Sequence, residues 1–206
     1  GGVVGEEGTL GIVLDSNEYP GKAYYDFQRS VLVLKERGIL IVLCSKNNEA
    51  DVWDVLDNHP DCLIKRKDLA GARINWVNKP DGLIELSREL RLGLDSFVFV
   101  DDSDLECNMV AQMLPEVTVR KVPERLSDYP LLLFEEGLFD GLTLNQEDRE
   151  RTQMYQDEHR RNELAQAFGS VEDYLASLEI KVEIHPVVPH EISRVAQLTQ
   201  KTNQFN

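Results

Sequence analysis

The segment Phe97-Val98-Phe99-Val100-Asp101-Asp102 decides the fold. Its first four residues, all aromatic or β-branched, predict a strand that is buried on both faces, as in a parallel sheet. Two carboxylates follow directly, at the end of the strand beyond which open parallel sheets bind ligands. Burying adjacent carboxylates without a cation is costly. The segment therefore predicts an α/β fold with an acidic, cation-binding site at one edge of the sheet.

Other elements of the same fold are predicted on both sides of this segment. Short apolar runs predict strands at residues 39–44, 62–64 and 117–119. Apolar spacings and capping residues predict helices over residues 22–37, 48–58, 79–90 and 104–114. Gly38 and Gly93 are placed to end two of these helices, and Asn48 is placed to cap one. This alternation predicts βαβ units and a Rossmannoid parallel sheet flanked by helices.

The sequence changes in character after residue 142. A long, charge-rich helix is predicted over residues 145–168, with so thin an apolar stripe that a solvated connector is favoured. A short helix at 170–178, a strand at 182–184 and a helix at 191–200 follow. We therefore expect three parts, which are an α/β domain (1–142), a helical connector (143–178) and the start of a further α/β unit (179–206).

Composition restricts the possible partners. The 206 residues have a net charge of −15, which excludes the basic footprint of non-specific nucleic-acid binding and argues against an anionic membrane surface. No apolar run reaches the ~18 residues of a membrane span. Three sparse cysteines, at 44, 62 and 107, favour a reducing cytosol and hence a cytoplasmic location. The four histidines show no metal-ligand pairing and are expected at the surface.

The residues after each strand outline a phosphate site. Ser45 follows the 39–44 strand, and its hydroxyl and the amides of the next helix N-terminus are suited to phosphate oxygens. Lys79 begins a later helix and would supply positive charge. Asp101 and Asp102 would bind Mg²⁺, which prefers carboxylate and phosphate oxygens; the sequence leaves open which of them reaches it. Lys46 and Asn47 are the expected substrate-binding residues. A receiver domain uses similar groups, but in a different chain order.

This order of serine, lysine and paired aspartates resembles motifs two, three and four of the haloacid-dehalogenase (HAD) superfamily. More narrowly, four segments resemble the FkbH-like proteins of subfamily IIIC. They are Leu43 to Asn48, Ile74-Asn75-Trp76 before Lys79, Gly93 to Asp102, and Gln197 to Asn206. The resemblance covers essentially the whole chain, and its final part resembles the start of a GNAT-like region, whose acetyltransferase activity the sequence leaves open.

The resemblance implies a glyceryl transferase/phosphatase of polyketide or tetronate biosynthesis. Such an enzyme takes a glyceryl unit from 1,3-bisphosphoglycerate, removes phosphate with Mg²⁺, and loads the acyl group on the phosphopantetheine arm of an acyl carrier protein. Motif one, an Asp-x-Asp-x-Thr segment on the first strand, is not in this sequence; Asp15 is expected to be a loop residue. We therefore expect a chain truncated at both ends, lacking its first strand and inactive alone.

Two points stay open at this stage. Cys44 is either an acyl-relay thiol beside Ser45 or a small hydrophobe of a buried strand, whereas Cys62 and Cys107 are expected to be structural. The function is either that of the enzyme or that of a non-catalytic carrier-protein docking module that uses the 145–168 helix. Retention of Ser45, Lys79 and Asp101 favours an enzyme, with a plain small-molecule phosphatase as a lesser possibility.

Overall fold

The computed structural model describes residues 12–139, 146–167, 176, 181 and 183–201. The chain divides into two compact units, residues 1–162 and 163–206. The first unit contains the four strands of the described residues, which are β1 (Ile41–Ser45), β2 (Leu69–Ile74), β3 (Val98–Asp101) and β4 (Thr118–Lys121). Its helices are α1 (Gly21–Glu36), α2 (Glu49–Asn58), α3 (Lys79–Leu90), α4 (Asp104–Met113) and most of α5 (Gln146–Ala167).

The four strands form two separate parallel pairs. β1 pairs with β2, and β3 pairs with β4. Ser45 lies opposite Ile74, and Asp101 lies opposite Lys121. In each pair, the two strands therefore end opposite each other at their carboxyl ends. The predicted mixed α/β fold, with parallel strands flanked by helices, is confirmed.

Side chains, rather than backbone hydrogen bonds, join the two pairs of strands. No ladder connects β1 to β3 among the described residues. On one face Val42 and Cys44 pack against a core that contains Phe99. On the other face Ile41 and Val100 pack on the same cluster as Leu34 of α1. β1 and β3 therefore pack on the same two clusters without pairing to each other.

This arrangement corrects one expectation for the strand at 39–44. The apolar run predicts a strand buried on both faces, yet all five residues of β1 are only half-buried. β3, predicted in the same way, alternates between half-buried and buried residues. The physical reason is that a strand in the middle of a sheet is covered by a neighbour along each edge, whereas β1 and β3 each pair along one edge only among the described residues.

The predicted strand at residues 62–64 is wrong, and the strand lies at Leu69–Ile74 instead. The backbone amides of Leu63 and Ile64 both donate to Oε1 of Gln28, at 2.8 and 3.2 Å, so they are bound to α1 and not to a ladder. In β2, Gly71 permits α3 to pack closely, because a Cβ added there would lie 3.0 Å from Cδ2 of Leu86. Because several residues of β2 are small, the strand contains no continuous apolar run from which the sequence could predict it.

Most helices agree with the sequence, but two of their ends differ. Gly38 follows α1 with a φ of 84°, the left-handed conformation predicted for a glycine after a helix. α3 ends without the help of Gly93, because Arg91 adopts the left-handed conformation at its C-cap. Asn48 is the N-cap residue of α2, as predicted, but its side chain caps nothing and contacts Trp76 and Asp51 instead.

The sequence did not predict the 3₁₀ segment Leu126–Gly137, which packs against α1. In this contact Leu133 joins Val31 and Leu34 in the core, and Tyr129 stacks edge-on against Tyr24 with ring centroids 5.6 Å apart. Two shorter 3₁₀ turns precede β2 and β3, at Arg66–Asp68 and Leu94–Ser96. The segment therefore covers one face of the β1 and β3 strands.

The long charged helix is confirmed as α5. Met154, assigned to its thin apolar stripe, is 57% exposed. Within the first unit, the contacts of α5 are mainly polar. For example, Gln156 Nε2 donates to the carbonyl of Leu69, in β2, at 2.6 Å. The predicted three-part division of the chain stays a prediction.

The described residues of the second unit are the end of α5, two isolated positions and residues 183–201. A 3₁₀ turn at Pro189–Glu191 leads into α6 (Ile192–Lys201), which confirms the last predicted helix. The predicted strand at 182–184 is wrong at Glu183 and Ile184, which are not in a strand; Ile184 is 91% exposed and so has no packing partner to order it. The predicted helix at 170–178 lies outside the described residues, except for Ala176.

Candidate active site

The carboxyl edge of the strands brings together the three segments predicted to carry the site. Lys79, at the start of α3, directs its ammonium group to Oδ2 of Asp101, at the end of β3, and the two groups form an ion pair. Cys44 and Lys46, on either side of Ser45, both contact the start of α3: the thiol lies 3.7 Å from the Lys79 carbonyl, and Lys46 Nζ lies 3.4 Å from Oδ1 of Asn78. Residues far apart in sequence thus meet at one edge.

The two adjacent aspartates differ in environment. Asp101 is 9% exposed, and its second oxygen, Oδ1, accepts a hydrogen bond from the backbone amide of Ser103 at 3.0 Å. Asp102 is exposed. Asp101 is the last residue of β3, whereas Asp102 lies beyond the strand, in the bend before α4. Asp101 is therefore the one of the two that is part of the buried ion pair, and the metal-ligand roles of both stay predictions.

Lys79 is held in a mostly apolar environment. Its side chain is 13% exposed, and Nζ lies 5.7 Å from the centre of the Phe99 ring. Charges that are removed from water need a partner, and Asp101 supplies it. A lysine fixed in this way can offer its remaining N–H groups to an anionic oxygen at the same edge.

The sequence analysis missed one residue of this edge, Glu106. Its Oε1 accepts from Lys46 Nζ at 2.8 Å, and its Oε2 is buried with no hydrogen-bond partner among the described residues. The signal was present as Ser103-Asp104-Leu105-Glu106, which has the pattern of a capping box. In that motif the glutamate would accept from the amide of Ser103, but here that amide donates to Asp101, which leaves the Glu106 side chain free to reach Lys46.

Asn47 and Asn48 occupy the turn between β1 and α2. Asn47 Oδ1 accepts from the backbone amide of Asn48 at 2.8 Å, so this side chain orders the turn. Asn48 Oδ1 accepts from the indole N–H of Trp76 at 3.3 Å. Trp76 is 70% exposed and lies on the loop after β2. The substrate-binding roles of Lys46 and Asn47 stay predictions.

Cys44 lies at the same edge, but its thiol is packed against α3. A Cβ added at Gly82 would lie 3.1 Å from the sulfur, so the absence of a side chain at Gly82 makes room for it. Burial raises the pKa of Cys44, and Lys79 offsets this only in part. A raised pKa disfavours the thiolate that an acyl relay needs. The relay role stays a prediction, and the geometry adds no support to it.

The remaining cysteines and histidines agree with the sequence analysis, with one exception. Cys62 and Cys107 are buried, as expected of structural residues. His59 was expected at the surface but is 7% exposed, because its Nδ1 accepts from the amide of Asp61 at 3.1 Å in a tight turn. Asp15 is a loop residue, as predicted; its Oδ1 accepts from the amides of Asn17 and Glu18.

The donor groups at this edge suit Mg²⁺ only as part of its coordination shell. Among the described residues no three His, Cys, Asp or Glu side chains are grouped so that they could hold a metal. Protein-bound Mg²⁺ commonly takes one or two carboxylates and completes its shell with water and substrate phosphate. Asp101 and Asp102, adjacent at the end of β3, provide such carboxylates. The residues present therefore fit an Mg²⁺ site that ligand and water complete.

The chain is similar to a crystal structure of the N-terminal part of the protein BF1531 from Bacteroides fragilis, which contains a phosphatase domain and is complexed with Mg. The identity is 40% and the TM-score is 0.67. The match covers 70% of this chain and 38% of that one, so this chain spans less than half the length of the protein it resembles. No family model and no curated protein matches the chain.

This similarity supports the HAD-like phosphatase part of the sequence interpretation. The matching structure carries a phosphatase domain and the metal ion that the sequence predicts. The narrower FkbH-like assignment and the GNAT-like tail stay predictions. In the described part of the chain, no helix is both long and apolar enough to cross a membrane.

Proposed function

We propose that this chain is the phosphoryl-transfer part of an Mg²⁺-dependent, HAD-type phosphatase. The observation that carries the proposal is the buried Lys79–Asp101 ion pair at the carboxyl edge, beside Ser45 at the end of a neighbouring strand. A docking module would have no need of this arrangement. Similarity to a phosphatase domain complexed with Mg, at 40% identity, supports the same conclusion.

Each group at the edge then has a defined task. Lys79 donates to the oxygens of the transferred phosphoryl group, and the Ser45 hydroxyl and the amides at the start of α2 offer further donors. Asp101 is the principal carboxylate for Mg²⁺. Bound Mg²⁺ would neutralise charge on the phosphoryl oxygens. Because phosphoryl transfer needs mainly positioning and charge stabilisation, a rigid edge built on strand ends suits it.

Among the described residues, this edge contains no aspartate in the role of the attacking nucleophile. The HAD resemblance calls for an aspartate at the end of a further strand. Of the described strands, β1 pairs only with β2 and β3 only with β4, so an additional parallel strand between β1 and β3 would join the two pairs into one sheet. Its carboxyl end would then lie between Ser45 and Asp101. This geometry supports, as part of the proposal, an attacking aspartate supplied by a strand in that position.

The role of Lys79 can be tested against a matched lysine. In the full polypeptide, with the attacking aspartate in place, Lys79→Met should lower kcat/KM for phosphate release from p-nitrophenyl phosphate by at least about 100-fold, because it removes a donor aimed at developing charge. Lys35 is the control, since its ion pair with Asp68 is also buried, with Nζ and Oδ1 2.8 Å apart, but lies at the opposite end of the strands. Lys35→Met should destabilise the protein to a similar degree and leave kcat/KM of the folded fraction nearly unchanged. Equal losses in both variants would contradict a catalytic role for Lys79.

We further propose, from the FkbH-like resemblance, that phosphate removal is coupled to glyceryl transfer from 1,3-bisphosphoglycerate to an acyl carrier protein. Support comes from the four segments that resemble the FkbH-like proteins. Intact-mass measurement of a carrier protein incubated with enzyme, Mg²⁺ and this donor should show a glyceryl gain, which Cys44→Ala abolishes if the thiol is a relay. Phosphate release without a mass gain would leave a plain phosphatase. Carrier binding without phosphate release would favour the docking module.

A further inference from the structure

Glu106 lies at the edge in a capping position of α4, but another side chain makes the capping contact. It occupies the third position of α4, where a capping glutamate normally binds the N-cap amide. Asp101 binds that amide instead, while the Ser103 hydroxyl still accepts from the amide of Glu106 at 3.4 Å. The Glu106 side chain is therefore not needed to begin the helix. It is nevertheless 93% buried, since 7% of its surface is exposed, and burial of a carboxylate is costly without a purpose.

The contacts indicate that Glu106 neutralises the charge of Lys46. Lys46 Nζ lies 2.8 Å from Glu106 Oε1, and the Lys46 side chain is 26% exposed, so the ammonium stays accessible to a ligand. Lys79 is neutralised in the same way by Asp101. Each lysine of the edge is thus already paired with its own carboxylate.

The balance of charge at the edge is consequently negative. Two ammonium groups, of Lys46 and Lys79, face three carboxylates, of Asp101, Asp102 and Glu106, which leaves one negative charge in excess. Arg73, which also influences this region, is bound to two further carboxylates, those of Glu85 and Glu89, each at 2.6 Å. The whole chain carries a net charge of −15. A phosphate dianion alone would therefore meet repulsion, whereas the same dianion with a divalent cation would not.

We propose that Glu106, by neutralising Lys46, makes phosphate binding at this edge depend on a divalent cation. This inference rests on the proposed function and adds a specificity-determining residue to it. The cation compensates both the excess carboxylate charge and the phosphate charge. The phosphate group is therefore retained only when the cation is present, and Glu106 enforces that requirement.

Calorimetric titration of inorganic phosphate into the full polypeptide tests the inference on binding alone. The Kd should be at least about tenfold higher in EDTA than with Mg²⁺, a modest effect for unit charges near a protein surface. Glu106→Gln keeps the size of the side chain and frees the Lys46 charge. It should lower the Kd measured in EDTA by at least about tenfold.

Asp104→Asn is the matched control for Glu106→Gln. Asp104 is also in the first turn of α4 and also pairs with a lysine, Lys121, at 2.6 Å, but its side chain is 75% exposed. Its removal should leave both dissociation constants unchanged.

The outcomes separate the inference from the function on which it rests. Equal phosphate binding by the unaltered protein with and without Mg²⁺ would overturn the inference and leave the phosphatase proposal intact; this comparison needs no variant to fold. Equal behaviour of Glu106→Gln and Asp104→Asn, with both melting normally, would remove Glu106 as the cause. Absence of phosphate binding under every condition would overturn the proposed function, and the inference with it.

Discussion

Asp101 and Asp102 are neighbours in sequence but have different surroundings. Asp101 is buried, paired with Lys79 and bonded to the amide of Ser103, whereas Asp102 is exposed. The sequence predicts two carboxylates at the end of a buried strand. It does not show which carboxylate turns inwards, because that depends on how the end of the strand packs in the tertiary fold. Glu106 escaped prediction for a related reason, since its local pattern indicates only a helix cap.

Metal binding should distinguish the two aspartates. Asp101→Asn should weaken Mn²⁺ binding, followed by electron paramagnetic resonance with Mg²⁺ as competitor, by at least about tenfold. Asp102→Asn should change it by less than about threefold, because an exposed carboxylate is strongly screened by water. The reverse ranking would show that Asp102 is the principal ligand. Equal binding by the unaltered protein and both variants would place the metal elsewhere.

The reactivity of Cys44 should reflect its burial. Because burial raises the pKa of this thiol above 9.0, the ordinary pKa of cysteine, the thiolate becomes the main form only at a pH above that value. The rate of Cys44 modification by iodoacetamide, followed by peptide mass spectrometry, should therefore increase with pH to a midpoint above 9.0, and at neutral pH should be lower than for the unfolded chain. A midpoint well below that value would contradict the packing geometry and revive the acyl relay.

At the level of elements, the strands that the sequence predicted are those whose own residues are apolar. The runs at 39–44 and 97–100 correspond to β1 and β3. The sequence prediction placed this strand at 62–64, several residues before β2, because Leu-Ala-Gly-Ala-Arg-Ile contains few β-forming residues. The strand is buried because α3 packs against it. Strand ends, and with them Ser45 and Asp101, were predictable because an apolar run stops there. Contacts between elements, such as the one from Lys46 to Glu106, depend on the tertiary fold and were not.

The packing of α3 positions Lys79, and Leu86 is central to it. Leu86 is fully buried, and the sheet approaches it closely at Gly71. Leu86→Ala should lower the free energy of unfolding by about 2–5 kcal/mol, because it leaves a cavity. Leu105→Ala on α4, where the side chain is 66% exposed, should change it by less than about 0.5 kcal/mol. Denaturant unfolding measures both, and similar values for the two variants would contradict the packing described for α3.

At the scale of the whole molecule, the site exists only where several segments meet. The ends of β1 and β3 and the starts of α2, α3 and α4 converge on one edge, and the two parallel pairs that carry them are joined by side-chain packing on both faces. The order of serine, lysine and aspartate along the chain indicates this convergence before the fold is known. The separation of the strands into two pairs does not follow from the sequence pattern and supports a further strand between them.

The most direct test of the account is Mg²⁺-dependent phosphate release by the full polypeptide, with its attacking aspartate in place, compared between the unaltered sequence and the variants Asp101→Asn and Asp68→Asn. Asp68, like Asp101, is a buried aspartate paired with a lysine, but it precedes β2 and so lies at the amino end of the strands. We predict release that needs Mg²⁺, that Asp101→Asn reduces by at least about 100-fold, and that the folded fraction of Asp68→Asn retains. Release that persists in EDTA, or that both variants lose equally while folded, would contradict a phosphatase site at the carboxyl edge.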